Sequence, residues 1–515
     1  MIPEFRNEPA GNLASSERRV ALQRALRDVS NMLGATYPLI IGGEYITTEE
    51  CLASSNPAEP HKNVGRACQA DADLARRALA AAETACQTWR RVPVAARVRL
   101  ILRTAALLRR RRAELAAWII RETSKAWSDA DAEVARAIDF CEYYARCALQ
   151  LQATPPPLVP FPGQQNELRM LPLGVGVIIT PWNAPLATLT GLTVAAIVVG
   201  NSVVLTPNNA APITAAQFVQ ILEEAGLPPG VVNYLPAGDE VRDQLIAHPG
   251  TRFVAFTGTQ AEGRRILSQV TGPLGQPGQR RILEVSGRNT TIVDESADLQ
   301  AAARGIVANA FGFQGQKDNA CAQVIIVERI HEQLLGFIAE RTRQLKLGNP
   351  AEPEVSIGAV IDQDAFARVS NYIAVGQEEG RLVIGGEVID HTLLAEGGYF
   401  INPTVFADVA PDARIAQEEI RGPVLVCLPA RDFEHALELA AAGGAGLTGV
   451  VYARAMERLE QARDAFQVSN LYLNPADLNP RVGVQPAGGL GMSGQPGGPH
   501  YLRHFVQDQM ISEHL

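Results

Sequence analysis

Gly174-Val175-Gly176-Val177-Ile178-Ile179-Thr180 opens the stretch whose reading decides the fold. Its apolar run is short and continuous, without alternation, which marks a strand covered on both faces. Leu186 to Val199 is long enough for a buried helix, and Ser202 to Leu205 is again a short apolar strand. The rhythm continues with a helix at Ile213 to Ala225, strands at Val231 to Leu235 and Phe253 to Phe256, and a helix at Ala261 to Gln269. Such alternation predicts an α/β fold built on a parallel sheet with helices on both faces. Nucleotides bind these sheets at the carboxyl edge, where strands hand over to helices.

Working outward, residues 1–60 read as a polar arm around an extended segment, Tyr37 to Ile46. Ala70 to Gln152 is helical, with apolar residues three and four apart, as in Leu100, Ile101, Ala105 and Leu108. Arg109 to Arg112 reads as a solvated helix face. Five prolines between Pro155 and Pro162 end the helices and leave an extended excursion, Leu158 to Leu171. A second alternating block follows Pro277, with strands expected near Ile282 to Val285, Thr291 to Val293, Val324 to Val327, Val424 to Leu428 and Gly449 to Tyr452. Leu299 to Ala310, His331 to Leu345 and Phe433 to Ala442 read as its helices. A glycine-rich stretch, Gly488 to Gly498, precedes a strand-like tail at Phe505 to Ser512.

Composition narrows the class. The chain has 515 residues, 47% of them hydrophobic, and a formal charge of −9, which argues against nucleic acid or an anionic membrane as main partner. No apolar run reaches the roughly 18 residues of a membrane helix, and the N-terminus lacks the apolar centre of a signal peptide. Seven cysteines without a Cys-x-x-Cys pair, and histidines without zinc spacing, point to a reduced cytoplasmic protein with no metal site.

Phe256-Thr257-Gly258-Thr259-Gln260-Ala261-Glu262-Gly263 ends a strand in a glycine turn that opens a helix, leaving backbone N–H groups for a phosphate. With Pro181-Trp182-Asn183, Leu283-Glu284-Val285-Ser286-Gly287-Arg288 and Glu418-Glu419-Ile420-Arg421-Gly422-Pro423, it resembles the aldehyde dehydrogenase superfamily in order and spacing. Phe5-Arg6-Asn7-Glu8-Pro9, Ile138 to Tyr144, Phe311 to Lys317 and Val482 to Pro486 narrow the likeness to one branch. That branch oxidises L-glutamate 5-semialdehyde, the open form of 1-pyrroline-5-carboxylate. The resemblance runs from about Phe5 to the C-terminus.

This resemblance implies a Rossmann-like cofactor domain, an α/β catalytic domain and small oligomerisation strands. Residues 1–157 would form the arm and helical part of the cofactor domain, 158–171 the oligomerisation excursion and 172–283 the Rossmann-like part. Residues 284–487 would form the catalytic domain and 488–515 an oligomerisation tail. In the family a cysteine thiolate attacks the aldehyde, the adduct passes hydride to NAD, and a glutamate activates water. The resemblance gives Asn183 the oxyanion role and Glu284 the general-base role. It gives Trp182, Thr206, Gly258, Thr259, Gly263 and Glu419 places in the cofactor site.

The nucleophile departs from the pattern. Gln314-Gly315-Gln316-Lys317 is followed by Asp318 where the family has cysteine, and a carboxylate is a poor nucleophile toward an aldehyde. Cys321 lies three residues on and reads as a small buried residue. Asn319 replaces a serine that grips the substrate carboxylate, and Asn479-Pro480 replaces a Gly-Ala pair whose N–H groups complete that grip. Arg421 replaces a phenylalanine, and Ala184 and Ala487 replace aromatics of the aldehyde tunnel. Thr206 and Asn209 replace a lysine and a glutamate that bind the adenosine ribose, while Ala441 and Ala442 replace an Asn-Asp pair.

The expectation is a catalytically impaired or repurposed relative that binds NAD weakly, with NADP equally open, and takes a small-molecule ligand. It would assemble as a homo-oligomer, or with an active paralogue. The alternative is an active dehydrogenase of non-standard mechanism, in which Glu284 and Asp318 act on an aldehyde hydrate. Asp318 and Arg421 are expected within about 8 Å of each other, near enough for direct contact or one bridging water.

Overall fold

The computed structural model describes residues 3–9, 11, 15–153, 158–271, 278–285, 287–387, 397–442, 446–478, 480–486, 488 and 496–514. Two seven-stranded sheets organise them. The first runs Arg280–Val285, Phe253–Gly258, Val175–Ile179, Ser202–Thr206, Val232–Tyr234, Leu39–Ile41, Glu44–Ile46, and its first five strands are parallel. Val175–Ile179 and Ser202–Thr206 are buried at every position, as the apolar runs at 175–179 and 203–205 lead one to expect. The apolar helix Ala187–Val198 is buried except at Thr188, between this sheet and the helices before it.

The last two strands of that sheet come from the segment read as a polar arm. Leu39–Ile41 pairs antiparallel with Val232–Tyr234 and then with Glu44–Ile46, so the N-terminal segment closes the sheet edge. Cys51–Asn56 and Glu59–Cys68 form a hairpin in a separate three-stranded sheet with Thr36–Tyr37. Their mixed, polar sequence carries no strong strand signal.

The second sheet runs Arg381–Ile384, Thr404–Ala407, Val424–Ala430, Cys321–Val327, Asn289–Val293, Thr448–Tyr452, Asn470–Leu473, antiparallel only at its first pair. Apolar clusters fill both its faces. Gln164–Pro172 and Val506–His514 pair antiparallel over nine residues as a separate two-stranded ribbon. Its outer residues include the exposed Met510, and Val159 and Phe161 lie exposed just before it.

One crossing positions everything that follows. Arg280–Val285 ends the first sheet, and four residues later Asn289–Val293 is an interior strand of the second, beside its central strand Cys321–Val327. Glu284 therefore stands at the carboxyl edge of one sheet, facing the amino edge of the other.

Candidate active site

The turn carrying Asp318 is built by residues that fix its backbone and leave the side chain to the cleft. Phe313, Gln314 and Gly315 take positive φ in succession (51°, 55° and 67°), reversing the chain after the helix Leu299–Phe311. Gly315 is required there. A Cβ would fall 2.2 Å from the Gly422 carbonyl oxygen, so only glycine lets this turn touch the Glu419–Gly422 loop. Gln314 Nε2 donates to the carbonyls of Ser124 and Ala359, and Gln316 Oε1 accepts from Ile361 N at 3.0 Å. Asn289 ties the turn to the crossing strand. Its Nδ2 donates to the carbonyls of Asp318 (2.8 Å) and Ala320 (3.0 Å), and its Oδ1 accepts from Thr448 N (2.7 Å).

The three expected catalytic positions meet in one cleft of about 1250 Å³ including its mouth, lined by Asn183, Thr257, Glu284, Asp318, Asn319 and Pro480 among others. Asn183 Nδ2 donates to Asp318 Oδ1 at 3.0 Å and to the Gln316 carbonyl at 3.0 Å. Both amide hydrogens are thus engaged. Glu284 is buried; Thr257 Oγ1 donates to its Oε2 at 2.8 Å, and the Tyr501 hydroxyl donates to its Oε1. Burial pushes the Glu284 carboxyl up to about 7, with the Asp318 charge adding to the rise and the two hydroxyl donors opposing it. A carboxyl with that value is poised for general acid–base work near neutrality.

Asp318 has a second partner, and the expected approach of Arg421 is present. Arg421 Nη2 lies 3.6 Å from Asp318 Oδ1, and its Nε donates to Glu419 Oε1 at 2.9 Å. Arg421 itself has φ 51°, which turns its loop toward the cleft. Burial raises the Asp318 carboxyl above the ordinary range, and Arg421 and Asn183 offset only part of that rise. Asp318 and Lys317 also line a smaller adjoining cavity of about 470 Å³, which contains Glu419 and Arg421, so the ion pair stands in the wall between the two.

Cys321 is far from being a substitute nucleophile. It begins the central strand Cys321–Val327 with its thiol within hydrogen-bond distance of Thr291 Oγ1 (3.2 Å) and the Gln323 carbonyl (3.4 Å), and burial pushes it up to about 11. None of the seven cysteines lines the main cleft.

The polar groups expected to meet a dinucleotide are turned onto protein partners. Thr206 Oγ1 donates to the Ile178 carbonyl (3.2 Å), and Asn209 Oδ1 accepts from Arg242 (2.9 Å). Glu419 is held by Arg421. The phosphate turn differs from its expectation. Thr259 N and Oγ1 both donate to Glu262 Oε2, while Glu262 N donates back to Thr259 Oγ1, a capping box that uses N–H groups read as free. Gly258 and Gly263 are needed for packing, since a Cβ would fall 2.4 Å from Phe256 and 2.6 Å from Val285. Trp182 packs edge-on to Phe313, ring centres 6.1 Å apart.

Among the remaining expected positions, Asn319 Nδ2 donates to the Leu478 carbonyl (3.0 Å), and Pro480 and Ala184 line the cleft. Ala441 and Ala442 are exposed, whereas Asn479 and Ala487 lie outside the described residues. Several groups escaped the sequence reading. Lys125, buried over the Phe313 ring, donates to Glu133 and to the Asn183 carbonyl (2.6 Å), while Lys317 pairs with Asp129 (2.5 Å). No local spacing announces these pairs or Tyr501, whereas the cap at Thr259 has a local signal that the phosphate reading passed over, the Thr-x-x-Glu spacing of a capping box. His331, Glu332 and Asp408 gather at the surface, but Arg381 already binds both carboxylates. Among the described residues no helix is long and apolar enough to cross a membrane.

Comparison with known proteins agrees with this architecture. Residues 45–511 match the model of the aldehyde dehydrogenase family. The chain is 47% identical over 521 residues to a 1-pyrroline-5-carboxylate dehydrogenase of Geobacillus kaustophilus (strain HTA426), covering 100% of both chains. A solved 1-pyrroline-5-carboxylate dehydrogenase from Thermus with bound NAD matches with TM-score 0.96 at 44% identity over 100% of both chains. The NAD-bound Δ-pyrroline-5-carboxylate dehydrogenase of Mycobacterium tuberculosis matches with TM-score 0.91 at 28% identity, over 100% of this chain and 96% of that one. With a family model matched over most of its length and relatives of this identity covered in full, the chain belongs to the aldehyde dehydrogenase family.

Proposed function

We propose that this chain keeps the scaffold of an NAD-dependent L-glutamate 5-semialdehyde dehydrogenase but is impaired in, or repurposed from, thiol-based aldehyde oxidation. The hydrogen bond from Asn183 Nδ2 to Asp318 Oδ1 carries this reading. An oxyanion donor accelerates a reaction only when it is held in reserve for charge that develops in the transition state. Here a resident carboxylate already takes that donor, and it sits where attack on the carbonyl would have to begin. The chain therefore lacks both the nucleophile and the free donor.

NAD enters as the dinucleotide of the relatives, bound weakly by this chain. The sheet edge and the glycine turn are kept, but Thr206, Asn209, Thr259 and Glu419 are already bonded to other residues. The residues fit the cofactor poorly. NADP has the same standing. The ribbon of Gln164–Pro172 and Val506–His514, with exposed Met510, supports assembly with further copies or with an active paralogue. The composition supports a cytoplasmic location.

The test is NADH formation from L-glutamate 5-semialdehyde by the wild type and by Asp318→Cys. The wild type is expected to fall at least about a thousandfold below the cysteine variant. Robust turnover by the wild type would overturn the reading in favour of a route through Glu284, whose position near neutrality suits it to deprotonate a hydrate.

A further inference from the structure

The long helix Trp127–Ala153 presents Asp129, Ala132, Glu133, Arg136 and Phe140 to the main cleft. These positions share one helix face, so the cleft has an ionic wall whose charges can be balanced individually. Glu133 is neutralised by Lys125, and Asp129 by Lys317. Arg481, which also lines the cleft, is paired with Asp477 at 2.8 Å.

Arg136 is the exception. Among the described residues it makes no hydrogen bond or ion pair, although burial disfavours its charge and pulls it below its ordinary value. The buried hydroxyl of Tyr472 lies within the field of this guanidinium and is likewise without a partner. Glu133, Asp139 and Asp129 act on this guanidinium through space, but none makes an ion pair or hydrogen bond with it, so its donors are left for a counter-ion that enters the cleft.

We propose that Arg136 binds the carboxylate of a small organic acid in the main cleft. The wall has one surplus positive charge, which suits a singly charged head and disfavours a dianion beside Asp129 and Glu133. The planar guanidinium matches a carboxylate with two parallel hydrogen bonds. Phe140, Ala187, Leu192 and Val482 supply an apolar lining for an alkyl stem. Asn319, also in the lining, commits one of its two amide hydrogens to the Leu478 carbonyl, and proline at 480 has no N–H to offer. Binding at Arg136 rests on the proposed function only in taking the cleft as a ligand site.

Calorimetry on the full-length protein tests it with pentanoate, with pentanamide as the uncharged match, and with inorganic phosphate. Pentanoate is expected to bind at least tenfold more tightly than pentanamide. Arg136→Gln should abolish that preference, and Arg136→Lys should retain part of it. Equal binding of acid and amide, tighter binding of phosphate, or an acid preference surviving in Arg136→Gln would each overturn the proposal. Thermal unfolding of Arg136→Gln is expected at or above the wild-type temperature, because the surplus charge is removed. The Asp318→Cys background separates the two readings. Recovered turnover with an unchanged KM for the acidic aldehyde on adding Arg136→Gln removes this inference alone. Robust NADH formation by the wild type, with pentanoate still bound through Arg136, removes the proposed function alone.

Discussion

Replacing Glu284 by glutamine tests the electrostatics of the cleft without reference to any ligand. The carboxyl sits at about 7 in the folded chain against 4.5 for an ordinary glutamate. Each pH unit of such displacement is worth about 1.4 kcal/mol, so the ionised form costs the fold about 3 kcal/mol. Because the folded value is raised, the folded chain binds more protons than the unfolded one between those two values. Stability is therefore intact below about pH 4.5, falls as pH rises toward 7, and stays reduced above it. Between pH 5 and pH 8.5 the wild type loses about 2.5 kcal/mol that Glu284→Gln does not lose. With an unfolding entropy of about 2.1 cal/mol/K per residue, a chain of 515 residues changes by about 1.1 kcal/mol per degree. The difference in melting temperature between variant and wild type should thus widen by about 2 °C across that range in favour of glutamine. Scanning calorimetry at the two pH values measures it. A difference that stays flat would mean that Glu284 ionises like an exposed glutamate, and the account of its burial would be refuted.

Two further outcomes follow from the geometry. Glu262→Gln keeps an acceptor for the Thr259 cap but removes a negative charge from the phosphate turn, so NAD affinity measured by calorimetry should rise about two- to fivefold, roughly 0.4–1 kcal/mol; unchanged affinity would show that the carboxylate does not compete there. Ending the chain before Asp508 removes most of the strand that pairs with Gln164–Pro172 while leaving Tyr501 on Glu284. Sedimentation should then report a smaller particle, and an unchanged one would take the ribbon out of the assembly.

Strands buried on both faces were legible because burial leaves a local trace: Val175–Ile179 and the Val203–Leu205 centre of Ser202–Thr206 are apolar runs without alternation and lie where those runs predict. Leu39–Ile41 was legible as extended, but its union with Val232–Tyr234 was not, since partner choice across nearly two hundred residues leaves no mark on either segment. The hairpin Cys51–Cys68 was silent for another reason, its outer face being polar and its register broken by shifts. In the site, the meeting of Asn183, Glu284 and Asp318 followed from the resemblance. The approach of Arg421 followed from charge once both positions were assigned. The lysine pairs were hidden because each joins a helix to a distant loop, as Lys317 does with Asp129.

Asn289 has a wider consequence. One side-chain amide clamps the carbonyls of residues 318 and 320 and receives the N–H of Thr448, and none of these bonds involves the side chain at 318. The shape of the seat is thus set independently of its occupant. A change of residue at 318 leaves all three of these bonds in place, so the backbone of the seat tolerates different side chains at a position that faces the cleft.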